Sequence, residues 1–240
     1  MFLEVCAFNI QSAIVAQRVG AVRAELCDNP IEGGTTPSYG AIYQTRKSIS
    51  IQLYPIIRPR AGSYFYDDDE FEMMLKDIEM CKQLGCDGIS VGVQRKDGTI
   101  DADRLKKIVS VAYPMGVTCN RAFDAVPDPY AALETIIDAG CERILTSGLK
   151  SAAPGAIREI KDLVEKAAGR IVIMPGAGIN SGNIEQMIRE TGATEFHTSA
   201  RMAVQSKMEF INPQMHEDLQ YMVADKKEIE ACLSVLHKMA

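Results

Sequence analysis

Four short phrases in this chain share one grammar: "VGAVRAEL" at 19–26, "LGCDGISV" at 84–91, "AGCERILT" at 139–146 and "TGATEFHT" at 191–198. In each, a helical pattern ends in glycine and a strand-like run follows within a few residues. Glycine suits the left-handed cap after a helix, and a short loop then feeds the next strand. Strand-like runs fall at 2–8, 23–28, 50–58, 88–93, 116–123, 143–148, 170–178 and 195–200. Helical patterns lie between and after them, near 10–20, 38–48, 67–84, 101–112, 128–139, 154–168, 181–190 and 225–239. Such strict alternation, with no linker-like break, predicts an α/β chain folded as a single (β/α)8 TIM-barrel-like domain over 1–240, rather than an open doubly wound sheet. The stretch 201–224 is longer than the other connections and rich in Met and Gln, which marks it as a lid or an interface segment.

Composition narrows the partners. With 47% hydrophobic residues, the chain has ample material for a core. A net charge of -6 offers no basic stripe for nucleic acid, and no apolar run is long enough to span a membrane. The opening "MFLEVCAFNI" lacks the basic stretch of a signal peptide, and seven scattered cysteines form no paired framework. Both features predict reduced thiols in a cytoplasmic protein.

In a parallel barrel, strand residues alternate between the helix layer and the packed interior, and chemistry gathers at the C-terminal strand ends. Leu3 and Val5 point to the helices, so Glu4 and Cys6 point inward. The next strand repeats the E-x-C phrase, with Glu25 and Cys27 inside. Arg58 falls at the top of the third strand, Asn120 near the top of the fifth, and Glu195, His197 and Ser199 inside the eighth. Buried carboxylates need partners, and Arg58 is the expected cation for Glu4 and Glu25. For Glu4, low on its strand, this reads as a structural ion pair; Glu25, Arg58 and His197 converge near the mouth as a site. Arg121 and Asp124 read as an ion pair at the strand mouth.

The loops after strands six to eight read "TSGLKS", "MPGAGINSGN" and "HTSAR". Ser147, Gly148, Gly176, Gly178 and Ser199 let backbone amides approach an anion, with the helix starting near Ser181 adding its positive end. Cys6 and Cys27 lie on neighbouring inward-facing positions, and paired thiolates suit Cu(I) or Zn(II). No C-x-x-C or H-x-x-H spacing completes a metal site. The other five cysteines read as small core residues.

Taken in order, "LEVC", "AELCDNPIEGGTTPS", "PIIRPRAGSYFYDDDE", "NRAFD", "ERILTSGLKS", "MPGAGI" and "EFHTSA" resemble the CutC copper homeostasis family from residue 3 to about 202. The resemblance implies a TIM-barrel-like fold, a cytoplasmic homodimer and a role in copper handling. It places Glu25, Cys27, Arg58, Arg60, Arg121, Asp124 and His197 at the cleft. It also implies histidine at position 120, where this chain has Asn120, which can neither shuttle a proton near neutral pH nor serve as a good soft-metal ligand.

Two functions follow. One is copper homeostasis, with Cu(I) as the metal held by Cys27 and Cys6 and no organic cofactor. The other is an enzyme or binder for a small anionic or phosphorylated metabolite. There Glu25, Asn120, Asp124 and His197 would serve chemistry, and Arg58, Arg60, Arg121 and the glycine loops would clamp the anion.

Overall fold

The computed structural model describes residues 1–239. Eight strands form the inner layer: β1 (Phe2–Ala7), β2 (Arg23–Leu26), β3 (Gln52–Ile57), β4 (Gly88–Val91), β5 (Gly116–Cys119), β6 (Arg143–Thr146), β7 (Val172–Pro175) and β8 (Glu195–Thr198). They pair in parallel in the order β7-β6-β5-β4-β3-β2-β1-β8, and β8 packs against β7, so the sheet is a nearly closed barrel. Around it stand α1 (Ile10–Val19), α2 (Tyr39–Ser48), α3 (Asp68–Gln83), α4 (Ala102–Ala112), α5 (Pro129–Ala139), α6 (Ile157–Ala167), α7 (Ile184–Thr191) and α8 (Lys226–Met239).

The recurring glycines do what the phrases predict. Gly20, Gly85, Gly140 and Gly192 have φ values from 72° to 99°, which only glycine adopts without strain, and each turns a helix into the following strand. Side chains open the helices: Asn9, Ser38, Asp101 and Asp128 each accept from backbone amides of the first turn, and Asp67 forms a capping box with Glu70.

Between strands and helices lies a continuous apolar shell. Leu3, Leu26, Leu53, Ile89, Ile144 and Phe196 are at most 1% exposed, and each such side chain stabilises the fold by about 1.5–3 kcal/mol. The inside of the barrel is different. Glu4, Arg23, Glu25, Arg143, Glu195 and His197 all point inward and are buried. The polar interior is therefore held by a hydrophobic sleeve.

Two boundaries shift from the sequence expectation. The helix expected from 181 begins at Ile184, after a turn in which the Ser181 amide and hydroxyl donate to the Glu228 carboxylate at 2.6 and 3.0 Å. Glu228 on α8 thus already takes the Ser181 donors, which the sequence placed at the start of the helix. In the 201–224 stretch, β9 (Arg201–Val204) pairs antiparallel with β10 (Tyr221–Ala224). This ribbon is tied to α1 through the Asn9 amide nitrogen to the Met222 carbonyl at 2.7 Å, and its tip exposes Met208 and Phe210. No described helix is long and apolar enough to cross a membrane.

Candidate functional site

Strand register builds the centre of the site. Glu4 stands level with Arg23 on β2 and with His197 on β8. Neighbouring strands lie about 4.8 Å apart, so inward side chains at matched levels must touch. The Glu4 carboxylate accepts from Arg23 Nε with one oxygen and faces His197 Nδ1 at 2.7 Å with the other. Burial favours the neutral acid, but Arg23 and His197 outweigh it and hold the Glu4 carboxyl down at about 2.

Below Glu4 the network reaches the barrel floor. Arg23 Nη2 donates to Glu195 at 2.6 Å, and Arg143 Nε donates to the same oxygen at 3.0 Å. The Tyr54 ring lies beside both guanidiniums, 5.2 and 5.5 Å from its centroid, and its hydroxyl donates to Glu142 at 2.6 Å. Tyr54 fits across the barrel because β4 and β5 offer Gly88 and Gly116 there; a Cβ at either would lie 2.2–2.5 Å from the tyrosine.

Above Glu4 the network reaches the mouth. His197 Nε2 is 3.8 Å from Glu25. Burial alone would lower the basicity of the imidazole. The contacts with Cys6 and Glu4, together with the Glu25 charge, outweigh burial and raise its pKa well above the usual histidine range. Glu25 is pushed up, chiefly by burial. The Cys6 and Cys27 sulfurs are 3.6 Å apart, and together with Glu25 they place three ligand atoms within 4.8 Å of one another. Cys6, hydrogen-bonded to Cys27, is held below the ordinary thiol value, while Cys27 is pushed well above it. Of the two, Cys6 is the thiol nearer to ionisation.

The other expected site residues lie elsewhere or are already engaged. Arg58 does not reach Glu25: its Nη1 donates to the Glu32 and Gly34 carbonyls at 2.7 and 2.9 Å, and Nη2 to Gly62 at 2.8 Å. It is a buried rivet between two loops, and the cation for Glu4 is Arg23. Arg60 turns outward to Glu70. Asp124 does pair with Arg121 Nε, at 2.8 Å, but it also accepts from Thr146 Oγ1, the Ser147 amide and hydroxyl, and the Leu149 amide. Its oxygens are filled, which makes it the fastener of the β6 loop. The Gly148 and Gly176 amides donate within the frame, to Thr146 Oγ1 and the Thr146 carbonyl, both at 2.9 Å, so Ser147, Gly148 and Gly176 offer no free amide to an anion. Asn120 Oδ1 accepts from the Ala122 amide at 3.0 Å and caps the turn that carries Arg121 and Asp124, while its buried Nδ2 has no hydrogen-bond partner among the described residues.

The chain as read by alternation missed Arg23 and Arg143. The signal was present: Arg23 stands two residues before Glu25, so the inward phrase of β2 is R-x-E-x-C, and Arg143 opens β6 with the same inward parity.

The sequence matches the CutC family over residues 1–202. The chain belongs to the CutC family. It is 50% identical over 212 residues to a CutC family protein of Parabacteroides distasonis, covering 88% of this chain and 87% of that one. It is 46% identical over 210 residues to the copper homeostasis protein cutC homolog of Mus musculus, covering 88% and 77%. The fold agrees with the crystal structure of the copper homeostasis protein CutC from Streptococcus agalactiae, with a TM-score of 0.79 and 32% identity, covering 83% of this chain and 98% of that one. N-(5'-phosphoribosyl)anthranilate isomerase of Pyrococcus furiosus shares the barrel alone, with a TM-score of 0.62 and 13% identity, over 99% of both chains.

Proposed function

We propose that this CutC family member takes part in copper homeostasis by binding Cu(I) between Cys6 and Cys27 at the barrel mouth. The observation that carries this reading is the sulfur pair, 3.6 Å apart and buried on adjacent strands. Two soft thiolates side by side favour Cu(I) over harder cations. The charge arithmetic supports it as well. Cu(I) between two thiolates carries a net charge of about -1, and His197, whose basicity is raised beside Glu4 and Glu25, would offset it when protonated, in a site where an uncompensated charge would be costly. Glu25 stands close enough to take a proton released from a thiol, and its raised pKa suits that role. The relatives named for copper homeostasis support a copper-related role. Seven free, buried cysteines suit a reducing, cytoplasmic setting, and the apolar tip of the β9–β10 ribbon suits burial against a second copy.

The test is an anaerobic competition titration against a Cu(I) chelator. One-to-one binding is expected, tightening as pH rises because the thiols must lose their protons. Cys6→Ser and Cys27→Ser should each abolish it. Tight binding that survives both single substitutions would overturn the assignment.

A further inference from the structure

Beside the sulfur pair the mouth opens into a cleft of ≈ 460 Å³ whose character is opposite to that of a soft-metal site. Two arginines from separate strand ends, Arg121 after β5 and Arg201 at the start of β9, stand on its wall with His197, and none of its lining residues is acidic. Neither guanidinium is used up. Arg121 is docked through Nε to Asp124 and Nη2 to Ser147, while Arg201 spends Nη1 on the Pro30 carbonyl at 3.0 Å and lies over the Phe8 ring. Arg121 Nη1 and Arg201 Nε and Nη2 have no protein partner among the described residues. The acid beneath, Asp124, offsets part of the Arg121 charge through the Nε contact, while its oxygens are otherwise taken by the β6 loop and Arg201 has no acidic partner among the described residues.

The backbone supplies a second, independent set of donors. The amides of Ala177, Gly178 and Ser199 donate to no protein acceptor among the described residues, and the Ser151 and Ser199 hydroxyls also line the cleft without a protein partner. Ala177 sits at φ 66° and Gly178 at φ 88°, and Ala200 next to Ser199 sits at φ 38°. Left-handed alanines are strained by about 1–3 kcal/mol, and such strain gathers where backbone is held for a ligand. The loops after the seventh and eighth strands are also where barrels of this kind hold phosphate.

We infer that this cleft is an anion subsite, distinct from the sulfur pair, that takes the phosphate group of a small phosphorylated metabolite. The Ala177, Gly178 and Ser199 amides would hold the oxygens, with Arg121 and Arg201 closing over them. Donors arriving from three strand ends suit a tetrahedral oxyanion better than a planar carboxylate. The exposed Ile31 and the Phe8 ring give the remainder of the ligand an apolar wall.

The experiment is calorimetric titration of metal-free protein with inorganic phosphate, with succinate and sodium chloride at matched ionic strength as comparators. Arg201→Gln is the main variant, since Arg201 is exposed and its loss leaves the core intact. Arg121→Gln is the second, and Arg170→Gln, on the outer face with Glu134, is the control. Saturable one-to-one phosphate binding is expected. Arg201→Gln should weaken it about tenfold or more, the loss of one charge-assisted hydrogen bond, and Arg170→Gln should leave it unchanged. The Cys6→Ser/Cys27→Ser protein should bind phosphate normally, which separates this subsite from the copper reading. Binding equal to that of chloride or succinate, or phosphate binding undiminished in both Arg201→Gln and Arg121→Gln, would overturn the inference.

Discussion

Glu4→Gln is the sharpest probe of the barrel interior. The carboxylate is 2% exposed and joins two cations, Arg23 and His197, on the strands either side. Its pKa falls from an ordinary 4.5 to about 2, which corresponds to about 3 kcal/mol of stability at neutral pH. Removing one partner of a buried ion pair costs on the order of 3–5 kcal/mol, so the two lines of reasoning agree. At roughly 2–4 °C per kcal/mol for a domain of this size, the melting temperature should drop by about 6–12 °C. The sign with pH is also fixed. A depressed carboxyl pKa contributes stability that is complete above the unfolded value and is lost as pH falls through the folded one. Urea unfolding of wild-type and Glu4→Gln protein should therefore show the full gap at pH 7, and the gap should begin to close below about pH 4.5. The His197 ring, followed by NMR, should titrate at a lower pH once its partner is neutral. A substitution that changes stability by less than about 0.5 kcal/mol at pH 7, or a gap that stays constant on acidification, would refute the account of Glu4 as the hub; the surface-pair range is the benchmark for that threshold.

Two further outcomes follow from the placements of Arg58 and Asp124. Arg58→Ala should loosen the loops around Gly34 and Gly62, seen as faster proteolysis there, and its effect should add to that of Glu25→Gln within about 0.5 kcal/mol, since the two side chains share no contact. A strong non-additive term would restore them as partners. Asp124→Asn should cost on the order of 3–5 kcal/mol in urea melts, because an amide NH2 would face donors that now converge on a carboxylate. Near-neutral stability in that variant would show that the β6 loop is held by something else.

Much of this was readable along the chain. Alternation set the eight strands, the E-x-C pairs and the inward Glu195 and His197, though not Arg23 and Arg143, because side chains in a strand change face at every step and a sleeve of helices demands apolar residues on one face. The recurrent glycines fixed the helix ends, because a left-handed backbone at a cap is a local requirement. What the chain could not show was which charge meets which. Arg58 and Arg23 both lie near Glu25 in a count of strand positions, yet only register decides that Arg23 stands level with Glu4, and register depends on strand stagger around the whole barrel. Asp124 and Asn120 read as chemistry because their types are reactive. Their local bonds, to the Ser147 and Ala122 amides, make them parts of the frame, and those bonds exist only once the β5 and β6 loops are folded together. Arg201 closes the "HTSAR" phrase, but its role as a cation of the mouth was not singled out there. It becomes part of the mouth because β8 ends beside β1 and the chain must turn there into the β9–β10 ribbon, a consequence of barrel closure that no local pattern encodes.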